Sequence, residues 1–171
     1  MLSVIGAGLI ICGTTAWGFS AVVRLRRRTK VLSGLIAALE LMESELSFKL
    51  AALPELMATL STAAAPEVRG LFVRCAARTD TIGSCSFRRM WRESLENSPE
   101  LLLRVEEYEC LSELGGVLGR YDLSQQQRAL HYAKARLSTF LSRAEEERTR
   151  QSRFYGTLGI ASGIMAVLIL I

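Results

Sequence analysis

From Tyr121 to Ile171 the chain contains no proline, and no glycine before Gly156. A stretch this long without a breaker predicts one long helix, and the residues along it agree. Asp122 followed three residues later by Gln125 has the spacing of a capping box. Leu123, Leu130, Leu137 and Ala144 then recur at heptad spacing, with Ala133 and Phe140 interleaved, the stripe of a helix that packs in a bundle. Beyond it the pattern changes twice. Residues 145–153 (EEERTRQSR) are polar all round, with Glu146 and Arg150 as a supporting i, i+4 pair. Residues 154–171 carry no charge, and at 1.5 Å per residue they reach about 27 Å, close to the hydrocarbon thickness of a bilayer. The expectation is a helix that packs, crosses a short solvated neck and enters a membrane.

The other end of the chain mirrors this. Every charged residue lies between Arg24 and Arg153, so residues 1–23 are also uncharged and, as a helix, reach about 34 Å. The run SVIGAGLIICG superficially resembles the glycine turn of a dinucleotide fold. The fingerprint needs a third glycine where Ile11 stands, and four arginines (Arg24, Arg26, Arg27, Arg28) follow in place of a second strand. A secretory leader is disfavoured too, because the positive charge comes after the apolar run. Arginines flank both apolar segments on their inner side, Arg148, Arg150 and Arg153 in the second case, and the positive-inside rule places that side in the cytoplasm. The predicted organisation is a transmembrane helix over 1–23, a cytoplasmic bundle over 24–153 and a transmembrane helix over 154–171, with both termini outside.

The middle segment is long enough to bury its own core. Leu25, Leu32, Leu39, Leu46 and Leu53 repeat every seven residues, with Leu35 and Met42 between them, which predicts a long amphipathic helix ending near Pro54. Shorter helices are expected over 54–63, 66–78 and 87–96, with the loop TDTIGSCS between the last two. Ser98, Pro99 and Glu100 read as the start of a further helix that carries Leu111, Leu114 and Leu118 and ends around Gly119. No stretch alternates with period two, so the fold class is all-α: a six-helix cytoplasmic bundle whose first and last helices continue into the membrane.

Little in the sequence points to catalysis. The single histidine, His131, sits in mid-helix with no nucleophile turn, and the four cysteines (Cys12, Cys75, Cys85, Cys110) lack metal or redox spacing. No catalytic, cofactor or metal residue is assigned. A net charge of +4 with both signs interspersed gives no nucleic-acid footprint. Three groups stand out as contact candidates. Glu40, Glu43 and Glu45 cluster without basic residues nearby in sequence, a docking surface for a basic partner or an ordinary solvated face. Gly115 and Gly119 precede Asp122 as a turn and helix-contact motif, Gly115 as a point of close approach and Gly119 as a left-handed cap. Gly159 and Gly163 form GxxxG, with Gly156 one turn earlier, which permits close packing in a membrane.

The apolar N-terminus with its arginine collar, the runs ALELMESELSFKLAALPELM and LGGVLGRYDLSQQQ, and the charged neck before FYGTLGIASGIMAVLILI together resemble the stage III sporulation protein AB family of endospore-forming bacteria, over the whole length. The resemblance implies a mother-cell membrane protein around the forespore, within the channel complex that joins the two cells. It also implies a soluble part similar to the cytoplasmic domain of type II secretion F platform proteins. Those proteins carry two tandem domains where this sequence has one, so their stoichiometry does not transfer. The implied partners are a secretion-type ATPase (stage III sporulation protein AA), other channel membrane proteins and the lipid bilayer. The favoured function is a non-enzymatic platform that docks the ATPase through its bundle. The alternative is a membrane-anchored regulatory or enzyme-accessory domain.

Overall fold

The computed structural model describes residues 25–49, 52–79, 86–118 and 122–170, the stretch 151–170 by its helical backbone alone. Among the described residues there are six α-helices and no strand, in agreement with the all-α expectation.

Helix α1 spans residues 25–44 and passes directly into a π-helical turn, Glu45–Lys49. Its apolar stripe is buried as the heptad spacing requires: Leu32, Leu35, Leu39, Met42 and Leu46 are each at most 5% exposed. Complete burial of one such side chain contributes roughly 2 kcal/mol. The stripe stops at Leu46, however, and Leu53 begins the next helix. Helix α2 (Leu53–Ala63) has Pro54 in its first turn, where a missing N–H costs nothing. Helix α3 (Pro66–Ala76) opens on proline for the same reason. Between them Ala64 is extended, and the Arg69 guanidinium donates to its carbonyl at 3.2 and 3.1 Å, satisfying an acceptor that the end of α2 leaves open. Leu56, Met57 and Leu60 of α2 and Val68, Leu71 and Phe72 of α3 are fully buried.

Helix α4 (Phe87–Glu96) turns Phe87, Met90, Trp91 and Leu95 inward. Trp91 is the centre of the packing, with ring centroids 6.2 Å from Phe72 and 6.0 Å from Phe87, and its indole N–H donates to the Leu111 carbonyl at 2.7 Å.

The expected helix start at Ser98-Pro99-Glu100 is corrected. Pro99–Leu101 forms only a 3-10 turn, Leu102 adopts a left-handed conformation (φ 50°, ψ 39°), and helix α5 runs from Val105 to Val117. The Ser98 hydroxyl, the expected cap, is engaged elsewhere: it donates to the Ser94 carbonyl at 2.6 Å and accepts from Arg74 at 2.6 Å. The cap falls instead at Arg104, whose backbone N–H donates to the Glu107 carboxylate at 2.8 Å.

Helix α6 is continuous from Leu123 to Leu170. Its start is capped as the spacing of Asp122 and Gln125 implies, the Gln125 N–H donating to Asp122 Oδ1 at 3.3 Å. Leu130, Ala133, Leu137, Phe140 and Ala144 are buried, and Leu123 is half-buried.

The chain forms two compact units. Lys30–Ser142 contains the aromatic cluster and most of the core. The other takes residues 1–29 and 143–171, and in it Arg28 Nη1 lies 3.6 Å from Glu147 Oε2. Among the described residues no helix is long and apolar enough to cross a membrane; of the two segments expected to do so, 1–23 lies outside the described residues and 154–170 is described by its helical backbone alone.

Candidate interaction surface

Helix α1 carries the chain roughly 36 Å from residue 25 to residue 49, and α6 begins beside its far end. The two are clamped there. Gln127 Nε2 donates to Ser47 Oγ at 2.8 Å, and the Lys134 ammonium forms an ion pair with the Glu43 carboxylate. The π turn between Glu45 and Lys49 adds a residue to the last turn of α1, a feature frequent at functional sites. On its outer side Phe48 is 86% exposed, the most exposed large apolar side chain among those described.

The three acids expected to form one surface are separated by this geometry. Glu40 is exposed and faces solvent. Glu43 is half-buried and held by Lys134, so its counter-charge comes from α6 and is far away in sequence. Glu45 is only 8% exposed, within the π turn. The reading of three acids without basic neighbours is therefore corrected: Glu40 is the member left on the surface, and Phe48 stands two turns beyond it on the same side of the helix. An aromatic residue eight positions after an exposed acid, on a stripe otherwise made of small or polar residues (Ser33, Ala37, Glu40, Ser44), was the signal for Phe48 in the sequence.

The glycine motif also divides. Gly115 is buried against Trp91, where it serves helix packing. Gly119 lies outside the described residues. Asp122 is exposed at the start of α6, accepting from Ser124 Oγ at 2.9 Å and acting as a cap. Gly156, Gly159 and Gly163 lie in the helical backbone of α6, and their packing lies outside the described residues.

A second surface feature follows from the corrected start of α5. Leu95, Pro99, Leu102, Leu103, Val105 and Tyr108 line a groove of about 350 Å³ at the corner between α4 and α5. The Tyr108 hydroxyl donates to Glu96 Oε1 at 3.0 Å, and burial followed by this hydrogen bond pushes its pKa up. Arg74 anchors the corner to α3 by its ion pair with Glu100 and its bond to Ser98.

His131 is exposed on α6. Cys75 and Cys110 are free and buried, and burial pushes the Cys75 thiol up to about 11, which leaves it protonated and poorly nucleophilic at neutral pH. What these side chains offer is contact surface: an exposed aromatic beside an acid, an apolar groove and flanking charges.

Over the described residues the fold is all-α with six helices, and its exposed features suit protein contact. The family model for stage III sporulation protein AB matches residues 3–171, and the chain belongs to that family. It is 29% identical over 171 residues to the stage III sporulation protein AB of Bacillus subtilis (strain 168), covering 99% of each chain. It is also similar to a solved structure of stage III sporulation protein AB, with a TM-score of 0.66 and 27% identity over 72% of this chain and 98% of that one. The relatives carry a sporulation name and not that of an enzyme family.

Proposed function

We propose that this chain is a non-enzymatic platform of the sporulation channel complex, held in the mother-cell membrane by residues 1–23 and 154–171, with its bundle in the cytoplasm. The bundle docks a secretion-type ATPase, by resemblance stage III sporulation protein AA, and the uncharged segments contact other channel proteins within the bilayer. The observation that carries this reading is the end of α1 that α6 clamps through Ser47–Gln127 and Glu43–Lys134, where Glu40 and Phe48 are exposed. An exposed acid beside an exposed aromatic suits a docking surface for a soluble partner.

Glu40 steers a basic partner, and Phe48 supplies the apolar anchor that concentrates binding energy. The test is binding of the purified protein to the ATPase at low and moderate salt. Glu40→Lys should weaken binding mainly at low salt, and Phe48→Ser should weaken it at both. Unchanged affinity in both variants would remove this end from the interface and leave the segment between Gly115 and Asp122 as the next candidate. Glu43→Lys is a poorer probe, because it also breaks the pair with Lys134.

A further inference from the structure

Helix α5 exposes a face that is charged in two senses. Val105, Glu109, Ser112 and Gly116 follow one another at i, i+4, i+7 and i+11, which aligns them on one side of the helix. Val105 is 73% exposed and Glu109 is also exposed, whereas Ser112 is buried and Gly116 half-buried beneath side chains of α4. Two arginines from α4 lie along the same side. The Arg88 side chain passes over Gly116, its Nε, Cδ and Cζ standing 3.6–3.8 Å from where a β-carbon on that glycine would be. Arg92 Nε donates to Ser112 Oγ at 3.4 Å. Among the described residues neither arginine forms an ion pair with an acid and Glu109 forms none with a base, whereas other charges nearby are paired. Glu93 receives both Arg89 and Arg78 at 2.9 Å, and Glu113 lies 3.4 Å from Arg136.

We propose that this face is the contact of a two-fold dimer in which a second copy lays its α5 antiparallel against the first. The argument is that the face is complementary to itself. A two-fold interface uses the same patch on both copies, so what one copy lacks it must find in its own image. In an antiparallel register centred between Cys110 and Leu111, residue 109 lies opposite residue 112 and residue 105 opposite residue 116. Glu109 then meets the partner subunit's Arg92, which its own Ser112 holds in place. Val105 meets the aliphatic stem of the partner subunit's Arg88 where it lies over Gly116. One register serves both contacts, and the symmetry makes each of them twice. An acidic partner or an anionic membrane surface would suit Arg88 and Arg92 but would face Glu109 with like charge. A second copy meets Glu109 and Arg92 with opposite charge and sets Val105 against the aliphatic stem of Arg88.

The test is sedimentation of the full chain in mild detergent at low and high salt. The dimer should form at low salt and weaken as salt screens the two charge pairs. Arg92→Glu and Glu109→Arg should each raise the dimer dissociation constant by about tenfold or more. The double variant, which exchanges the charges, should restore association. Circular dichroism of each variant should match the wild type, since both side chains lie on the surface. A wild-type chain that stays single at low salt overturns the proposal. So does a dimer that Arg92→Glu leaves intact, or a charge exchange that fails to restore a dimer both single variants have lost.

Discussion

The Trp91 indole occupies the space that a side chain at Gly115 would need: a β-carbon there would stand 2.1 Å from Trp91 Cδ1. Because the ring is also bonded to the Leu111 carbonyl and packed between Phe72 and Phe87, it has nowhere to move. The seam between α4 and α5 therefore depends on the absence of one methyl group. Gly115→Ala should destabilise the protein by about 1–3 kcal/mol through overpacking, despite the better helix propensity of alanine. Gly116, one residue on, has its nearest neighbour at 3.6 Å, and Gly116→Ala should be neutral or stabilising by up to about 1 kcal/mol. Urea unfolding of both variants in high salt checks the contrast, and equal effects at the two positions would contradict it.

The Leu39 side chain is 1% exposed at the middle of α1. Leu39→Ala should cost about 2–5 kcal/mol, the range for a large-to-small change in a packed core. The same change at Leu25, which is only half-buried, should cost clearly less. Denaturant midpoints of the two variants test whether the leucine stripe is deepest at its centre.

Stability should fall at alkaline pH because of Cys75. Burial raises its pKa from 9.0 to about 11, so between those values the folded state keeps a proton that the unfolded state has released. Protons bound in excess by the folded state make stability decline as pH rises, with little effect below pH 9. The loss should approach about 2–3 kcal/mol at the upper end of that window. Cys110 is raised in the same direction, also by burial first, and adds to the slope. Replacing Cys75 with alanine should flatten the alkaline part of the stability profile, and an unchanged slope would show that other groups produce it.

The proposed membrane role predicts a separation of effects. Gly159→Leu together with Gly163→Leu should weaken packing of the uncharged C-terminal segment and impair sporulation. The core around Trp91 should be untouched, with tryptophan fluorescence and unfolding of the bundle unchanged. Normal sporulation in the double variant would remove close glycine packing from the reading.

The sequence by itself determined which segments are helical and which face of each is buried. The heptad leucines of α1, the prolines opening α2 and α3, and the Asp122–Gln125 cap act over four to seven residues, so their outcome is written locally. Its motifs also carried the family, which the full-length match shows. Only the tertiary structure decided what those helices do to one another. Ser98, Pro99 and Glu100 have every local mark of a helix start, yet Arg74 and the Ser94 carbonyl claim the Ser98 hydroxyl, and α5 waits until Val105. Glu43 looks unpaired along α1 until α6 returns Lys134 to its side. Whether Gly115 serves a turn or a contact depends on the Trp91 ring of another helix, and the exposed charges of α5 gain their pattern from Arg88 and Arg92 of α4. In each case the deciding partner is distant in sequence, and such pairs exist only once the packing of the core has brought their helices together.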